Sequence, residues 1–106
     1  MIKFLPYENE GFITFKAFES DAELGYCSFT LNGYVMKFTD VMCNDDIVTE
    51  GLARAAMNYG ANYNAYIAEI SKNLLCPAFI RLGFKGDDIL KVEIPEALTS
   101  GCSCPH

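Results

Sequence analysis

The chain is poor in positive charge. Its 106 residues hold 8 Lys and Arg against 14 Asp and Glu, a formal net charge of −6. The bases stand singly, at Lys3, Lys16, Lys37, Arg54, Lys72, Arg81, Lys85 and Lys91. That scatter argues against nucleic acid and anionic membrane as partners, because both need clustered cations. Histidine is nearly absent, and His106 is the single one. A Cys-His or Ser-His-Asp hydrolase would have to build its site around it, so that chemistry is not expected. No apolar run reaches the ~18 residues of a membrane span. The opening MIKFLPYENEG lacks a long apolar core, so no signal peptide is expected. Repeats, linkers and low-complexity stretches are lacking too.

Apolar and aromatic residues are plentiful. The hydrophobic fraction is 51%, with 8 Phe and 6 Tyr, which marks a folded chain. The length suits one domain with a real core and no need of staples, expected over residues 1–100 with a tail at 101–106. Five Cys is an odd number. Cys27, Cys43 and Cys76 sit in apolar surroundings, and a reduced, cytoplasmic setting is the simplest reading.

The first 43 residues read as an antiparallel meander. IKFLPY (2–7) is a short strand that Pro6 confines to an edge or end. GFITFKAF (11–18) alternates, with Ile13, Phe15 and Ala17 on one side. AELGYCSFTL (22–31) and YVMKFTDVMC (34–43) flank Asn32–Gly33, the pair best suited to a type I′ turn. The period then changes. Val48, Leu52, Ala55, Ala56 and Tyr59 share one face of a helix over 44–60, with Asn44 or Asp45 as its cap and Gly60 at its end. NAYIAEI (64–70) is a strand, and NLLCPAFIRL (73–82) a second helix with Pro77 near its first turn and Gly83 after it. DILKVEI (88–94) is the last strand. The expected fold class is α+β, a mixed and mostly antiparallel sheet with two helices.

That order of elements, with VTEGLARAAMNYGANYN, AYIAEI and above all AFIRLGF, resembles the GNAT superfamily of acyl-CoA-dependent N-acyltransferases over roughly 22–95. The resemblance implies an acetyl-CoA cofactor, an amine acceptor and a site at the start of the 44–60 helix. Pantetheine would run along Val41, Met42 and Cys43, and the phosphates would lie near Ile47, Val48, Thr49, Glu50 and Gly51. Glu69 or Tyr63 would be the base. Tyr66 could line a pocket or an interface.

Three features depart from the family pattern. Its phosphate loop runs Arg or Gln, two residues, Gly, any residue, then Gly or Ala. Counting back from Leu52 puts β-branched Ile47 and Thr49 where the glycines belong, and Cβ atoms there obstruct backbone N–H groups from closing on a phosphate. Asp45, Asp46 and Glu50 flank them, and carboxylates repel a pyrophosphate. The family's usual general acid, a Tyr five residues before the Phe of the Gly-Phe turn, is Phe79 here, which has no proton to give. Finally, Pro6 to Glu23 leaves no room for the family's first two helices, so one side of the sheet should be open or covered by a second chain.

Two function classes follow. One is an N-acetyltransferase-like domain with a reduced or degenerate coenzyme site. The other is a non-catalytic interaction module acting as a homodimer. A metal- or redox-active tail is a further alternative, since CSCPH offers Cys102, Cys104 and His106. The spacing is not C-x-x-C, a fourth ligand must come from Cys43 or Cys76, and no base stands by to lower a thiol pKa, so no structural metal is expected there.

Overall fold

A computed structural model describes residues 1–100. Four strands come first: β1 (Ile2–Asn9), β2 (Phe12–Glu19), β3 (Ala22–Asn32) and β4 (Val35–Cys43). They form an antiparallel meander joined by two-residue loops. Pro6 lies in β1, the edge strand, where a missing N–H costs no ladder bond. The loop between β3 and β4 is Gly33–Tyr34 rather than Asn32–Gly33, because Asn32 pairs with Val35. Gly33 has φ +64° and Tyr34 does not share the positive φ. Glycine at the first loop position alone is the requirement of a type II′ turn, so the expected type I′ geometry is not formed.

Helix α1 (Asp46–Asn62) crosses to β5 (Ile67–Ser71). Gly60 does not end α1. Its missing Cβ admits the Met36 sulfur, which would stand 2.8 Å from a side chain there, and the helix runs on until Asn64 turns the chain at φ +74°. The expected strand at 64–70 therefore starts three residues late. Buried on α1 are Val48, Thr49, Leu52, Ala53, Ala56, Met57 and Gly60, while Ala55 and Tyr59 of the expected face are half-buried at the side of this stripe. The expected helix over 73–82 is broken into a 3₁₀ turn (Lys72–Leu74) and α2 (Pro77–Arg81). Pro77 disfavours helical backbone at the residue before it, and Cys76 is extended at φ −123°, ψ 156°. Gly83 follows α2 at φ +104° as a left-handed stop. β6 (Lys85–Gly86), β7 (Ile89–Glu93) and α3 (Ile94–Ser100) complete the described residues. The segment 95–100, beyond the last strand expected from sequence, lies in a third helix. It follows β7 with no loop and buries Ile94 and Ala97 fully.

The seven strands form one sheet in the order β1-β2-β3-β4-β5-β7-β6. All pairs are antiparallel except β4–β5. Alternation sends Phe15, Ala17, Cys27, Phe29, Met36, Phe38, Ala68, Ile70, Leu90 and Val92 to one face, where α1, α2 and α3 cover them. The opposite face carries no helix among the described residues. Leu5, Tyr7 and Met42 stand there in the open at 42%, 42% and 59% exposure. The Lys16 ammonium sits 5.1 Å from the Tyr7 ring centre and 3.7 Å from Glu23. Thr14 and Ser28 share a 2.7 Å hydrogen bond across the strands of this face. β1 and β2 are joined by Glu10 and Gly11 alone, so no helix stands between them.

Cys27 lies in the covered face at 1% exposure, its thiol 3.8 Å from the Leu52 carbonyl oxygen. Burial pushes its pKa from 9.0 up to about 12, partly offset by a backbone hydrogen bond from Phe15. The unfolded thiol ionises first, so above pH 9 the unfolded state binds fewer protons and stability falls. The loss runs at about 1.4 kcal/mol per pH unit until the folded pKa is reached, and it is absent below the unfolded pKa. Between pH 9, the midpoint of the unfolded thiol, and pH 10 denaturant unfolding should show a drop of about 1 kcal/mol, and Cys27→Ala should be flatter by about that amount. Equal slopes would show that the thiol does not titrate differently in the two states.

Candidate active site

The parallel pair β4–β5 is short. Val35, Met36, Lys37 and Phe38 pair with Ile67, Ala68, Glu69 and Ile70, and there the pairing stops. The cause lies in the next strand over. Phe29 pairs with Phe38 and Ser28 with Asp40, which leaves Thr39 as an extra residue in β4. Such a bulge bends its strand and adds local twist. Beyond it β4 continues to Cys43 against β3 only, while the chain after β5 turns away into the 3₁₀ turn and α2. A V opens between them with Phe38 and Ile70 at its apex. Among the described residues, the β4 edge from Thr39 to Cys43 has no strand beside it on that side. Val41 is half-buried against the core and Met42 points to the uncovered face. On the α2 side, Leu75, Cys76, Pro77, Ile80 and Arg81 line an open apolar groove of about 460 Å³.

The start of α1 faces this opening. Its first free N–H groups already have an anion. The Asp45 carboxylate accepts from the N–H of Ile47 at 2.8 Å and of Val48 at 3.3 Å, and the Asp45 carbonyl accepts from the N–H and hydroxyl of Thr49, each at 2.9 Å. This is ordinary N-capping, with Thr49 buried beneath it. Asp46 and Glu50 are paired rather than free. Arg81 of α2 reaches Asp46 at 3.7 Å and Glu50 at 3.5 Å, and Arg54 reaches Glu50 at 2.7 Å. Ile47 is 79% exposed. Gly51 has a packing reason, since a Cβ there would lie 2.4 Å from the Phe4 ring of β1.

The remaining expected site residues are spread out. Glu69 is one pair before the apex, on the uncovered face, 3.6 Å from the Lys91 ammonium and in register with Lys37. Tyr63 caps the far end of α1, which puts it about 25 Å from the helix start along the axis. Phe79 is fully buried, edge-on to Phe38 at 5.2 Å and to Phe84 at 5.3 Å. Tyr66 donates to Glu93 at 3.2 Å, and that acceptor raises its pKa. Cys102, Cys104 and His106 lie outside the described residues. Among the described residues no group of three or more His, Cys, Asp or Glu is placed to hold a metal, and no helix is long and apolar enough to cross a membrane. Arg81 and the Thr39 bulge were not legible in advance. Arg81 gave no signal beyond a helical position, and the bulge gave none.

No family sequence model matches the chain, and no curated protein sequence matches it. Solved structures do. A probable acetyltransferase from Staphylococcus epidermidis superposes with a TM-score of 0.69 at 18% identity, over 79% of this chain and 68% of that one. An acetyltransferase assigned to the GNAT family, from Desulfovibrio desulfuricans, gives 0.68 at 12% identity, over 79% and 70%. The PaiA N-acetyltransferase of Thermoplasma acidophilum, solved in complex with coenzyme A, gives 0.68 at 10% identity, over 78% of this chain and 61% of that one. The likeness at these identities is one of architecture: the chain has the fold of the GNAT acetyltransferases.

Proposed function

We propose that the chain is an acyl-CoA-dependent N-acyltransferase-like domain with a coenzyme site reduced at the phosphates. The open β4 edge in the V carries this reading. Thr39 to Cys43 present backbone N–H and C=O groups with no strand beside them, and an extended amide-bearing arm such as pantetheine pairs with such an edge. The helix start does not fit the other end of the coenzyme. Asp45 fills the N–H groups that a pyrophosphate would need, and its charge repels one. Bound acyl-CoA would supply an activated thioester carbonyl. An amine acceptor reaches the apex from the uncovered face, and Glu69 is the base positioned there. Its pairing with Lys91 and the absence of a hydroxyl at Phe79 both work against fast transfer.

Titration calorimetry with acetyl-CoA and with S-acetylpantetheine separates the two ends. Both should bind, with affinities within about threefold of each other, because the phosphates add no held contact. The absence of both heat and a thermal shift with either compound at millimolar concentration would sink the reading.

The bare sheet face supports a second reading, a non-catalytic module that dimerises through it. Leu5, Tyr7 and Met42 are its exposed apolar members, and Lys16–Glu23 and Lys91–Glu69 give it paired charges of both signs. Light scattering should then report a dimer that Tyr7→Lys disrupts. A strict monomer at high concentration leaves this reading without support.

A further inference from the structure

A second concave site lies at the other end of α1. Glu8 of β1, Phe12 and Ile13 of β2, Leu31 of β3, Tyr59 of α1 and Tyr63 at its C-terminal cap line a groove of about 320 Å³. It is separate from the V, about 20 Å away along the α1 axis as counted from Asp46 to Tyr59. Ile13 and Leu31 are half-buried and form an apolar floor. The aromatic walls are held in place. Tyr59 stands edge-on to Phe15 at 5.6 Å and to Phe29 at 6.0 Å, so its ring is fixed to the core. Tyr63 lies against Tyr59 with ring centres 4.8 Å apart and planes 32° apart. Tyr63 and Phe12 are nevertheless 55% and 39% exposed, so ring surface remains open to a ligand. The Glu8 carboxylate is anchored as well, its Oε2 accepting from the Tyr59 hydroxyl at 2.7 Å. One donor leaves the carboxylate with unused acceptor sites. No basic side chain lines the groove among the described residues.

Fixed aromatic rings beside an anchored carboxylate, over an apolar floor, specify one kind of guest. Ring faces are negative and attract cations. The carboxylate supplies a full charge at the rim, and the floor favours alkyl groups over bare metal ions. We propose that this groove binds a small alkylammonium cation. The volume suits a ligand of that size. The Tyr59 hydroxyl reports the same local field. Its hydrogen bond to Glu8, with partial burial and the Tyr63 hydroxyl adding to it, raises its pKa well above the ordinary 10.0. A neighbourhood that resists a new negative charge accepts a positive one. The site does not depend on acyl-CoA binding, so each can fail alone.

The test is an NMR titration of the full chain with tetramethylammonium chloride, following the aromatic resonances of Tyr59 and Tyr63. Saturable shifts with a Kd on the order of 10 mM are expected. Sodium chloride at equal ionic strength and neopentyl alcohol, a neutral compound of similar shape, should leave those resonances in place. Glu8→Gln should weaken binding about fivefold and Tyr63→Ala about threefold. Both positions are exposed, so the fold is kept, and unchanged chemical shifts elsewhere verify that. Non-saturating shifts, an equal response to neopentyl alcohol, or unaltered affinity in Glu8→Gln would each overturn the proposal.

Discussion

Asp45→Gly should raise the affinity for acetyl-CoA about thirtyfold or more, while leaving affinity for S-acetylpantetheine unchanged. The carboxylate now occupies the N–H groups of Ile47 and Val48. Removing it frees two donors for a phosphate, and hydrogen bonds to a charged group contribute about 1.5–3 kcal/mol each. It also takes one negative charge away from the positive end of α1. Glycine is the replacement of choice because it is nearly as good a cap as Asp, costing only a few tenths of a kcal/mol, whereas Ala costs about 1 kcal/mol. Asp46 and Glu50 remain, but Arg81 and Arg54 already partner them. Calorimetry with both compounds on both proteins gives the answer. A gain for acetyl-CoA alone assigns the weakness to Asp45. An unchanged ratio between the two compounds means that the pyrophosphate does not approach α1.

Phe38→Ala should destabilise the domain by about 3–5 kcal/mol, and at several degrees per kcal/mol for a chain of this size the midpoint should fall by about 15 °C or more. Phe38 is 1% exposed. Its ring meets Phe29 at 6.0 Å, Phe79 at 5.2 Å and Phe84 at 6.2 Å, which makes it the hub joining β3, β4, α2 and the segment after α2. It is also the last β4 residue paired with β5. Truncation opens a cavity under the apex of the V, so ligand affinity there should fall together with the melting temperature. Phe38→Leu keeps most of the volume and should cost less. Equal midpoints for wild type and Phe38→Ala would mean that the ring cluster relaxes into the space without loss.

Much of the architecture was legible because local chemistry and tertiary packing agree. Alternation in 11–18 and the change of period after Cys43 were strong signals, and Asp45 caps α1 as its residue type predicts. The misses share a cause, which is that distant contacts overruled local preference. Gly60 resembles a helix stop, yet Met36 of β4 makes its lack of a side chain a packing requirement. Ile94 and Ala97 form a helix because β7 ends against the covered face, and the short run PEALTS gave no periodic signal of its own. Asn32–Gly33 marked the right hairpin but placed its loop one residue early, since Asn32 is needed opposite Val35. The candidate site was half legible. The acids at the start of α1 could be read as caps, whereas their partner Arg81 lies 31 to 35 residues away in sequence. The bulge at Thr39 exists only relative to β3, so β4 alone cannot announce it.

Four residue pairs join β1–β4 to β5–β7 within the sheet. The meander, by contrast, is zipped along the length of each strand. Cooperativity is therefore uneven across the molecule. α1 packs on β2, β3, α2 and α3, and so spans the seam from one side. Opening at that seam breaks few backbone bonds and exposes little of the Phe15–Phe29 core. Within the sheet it breaks fewer residue pairs than opening any seam of the meander does. Widening the V then draws on the same weakness that holds the two halves together, so a tighter join between β4 and β5 would gain stability and lose access.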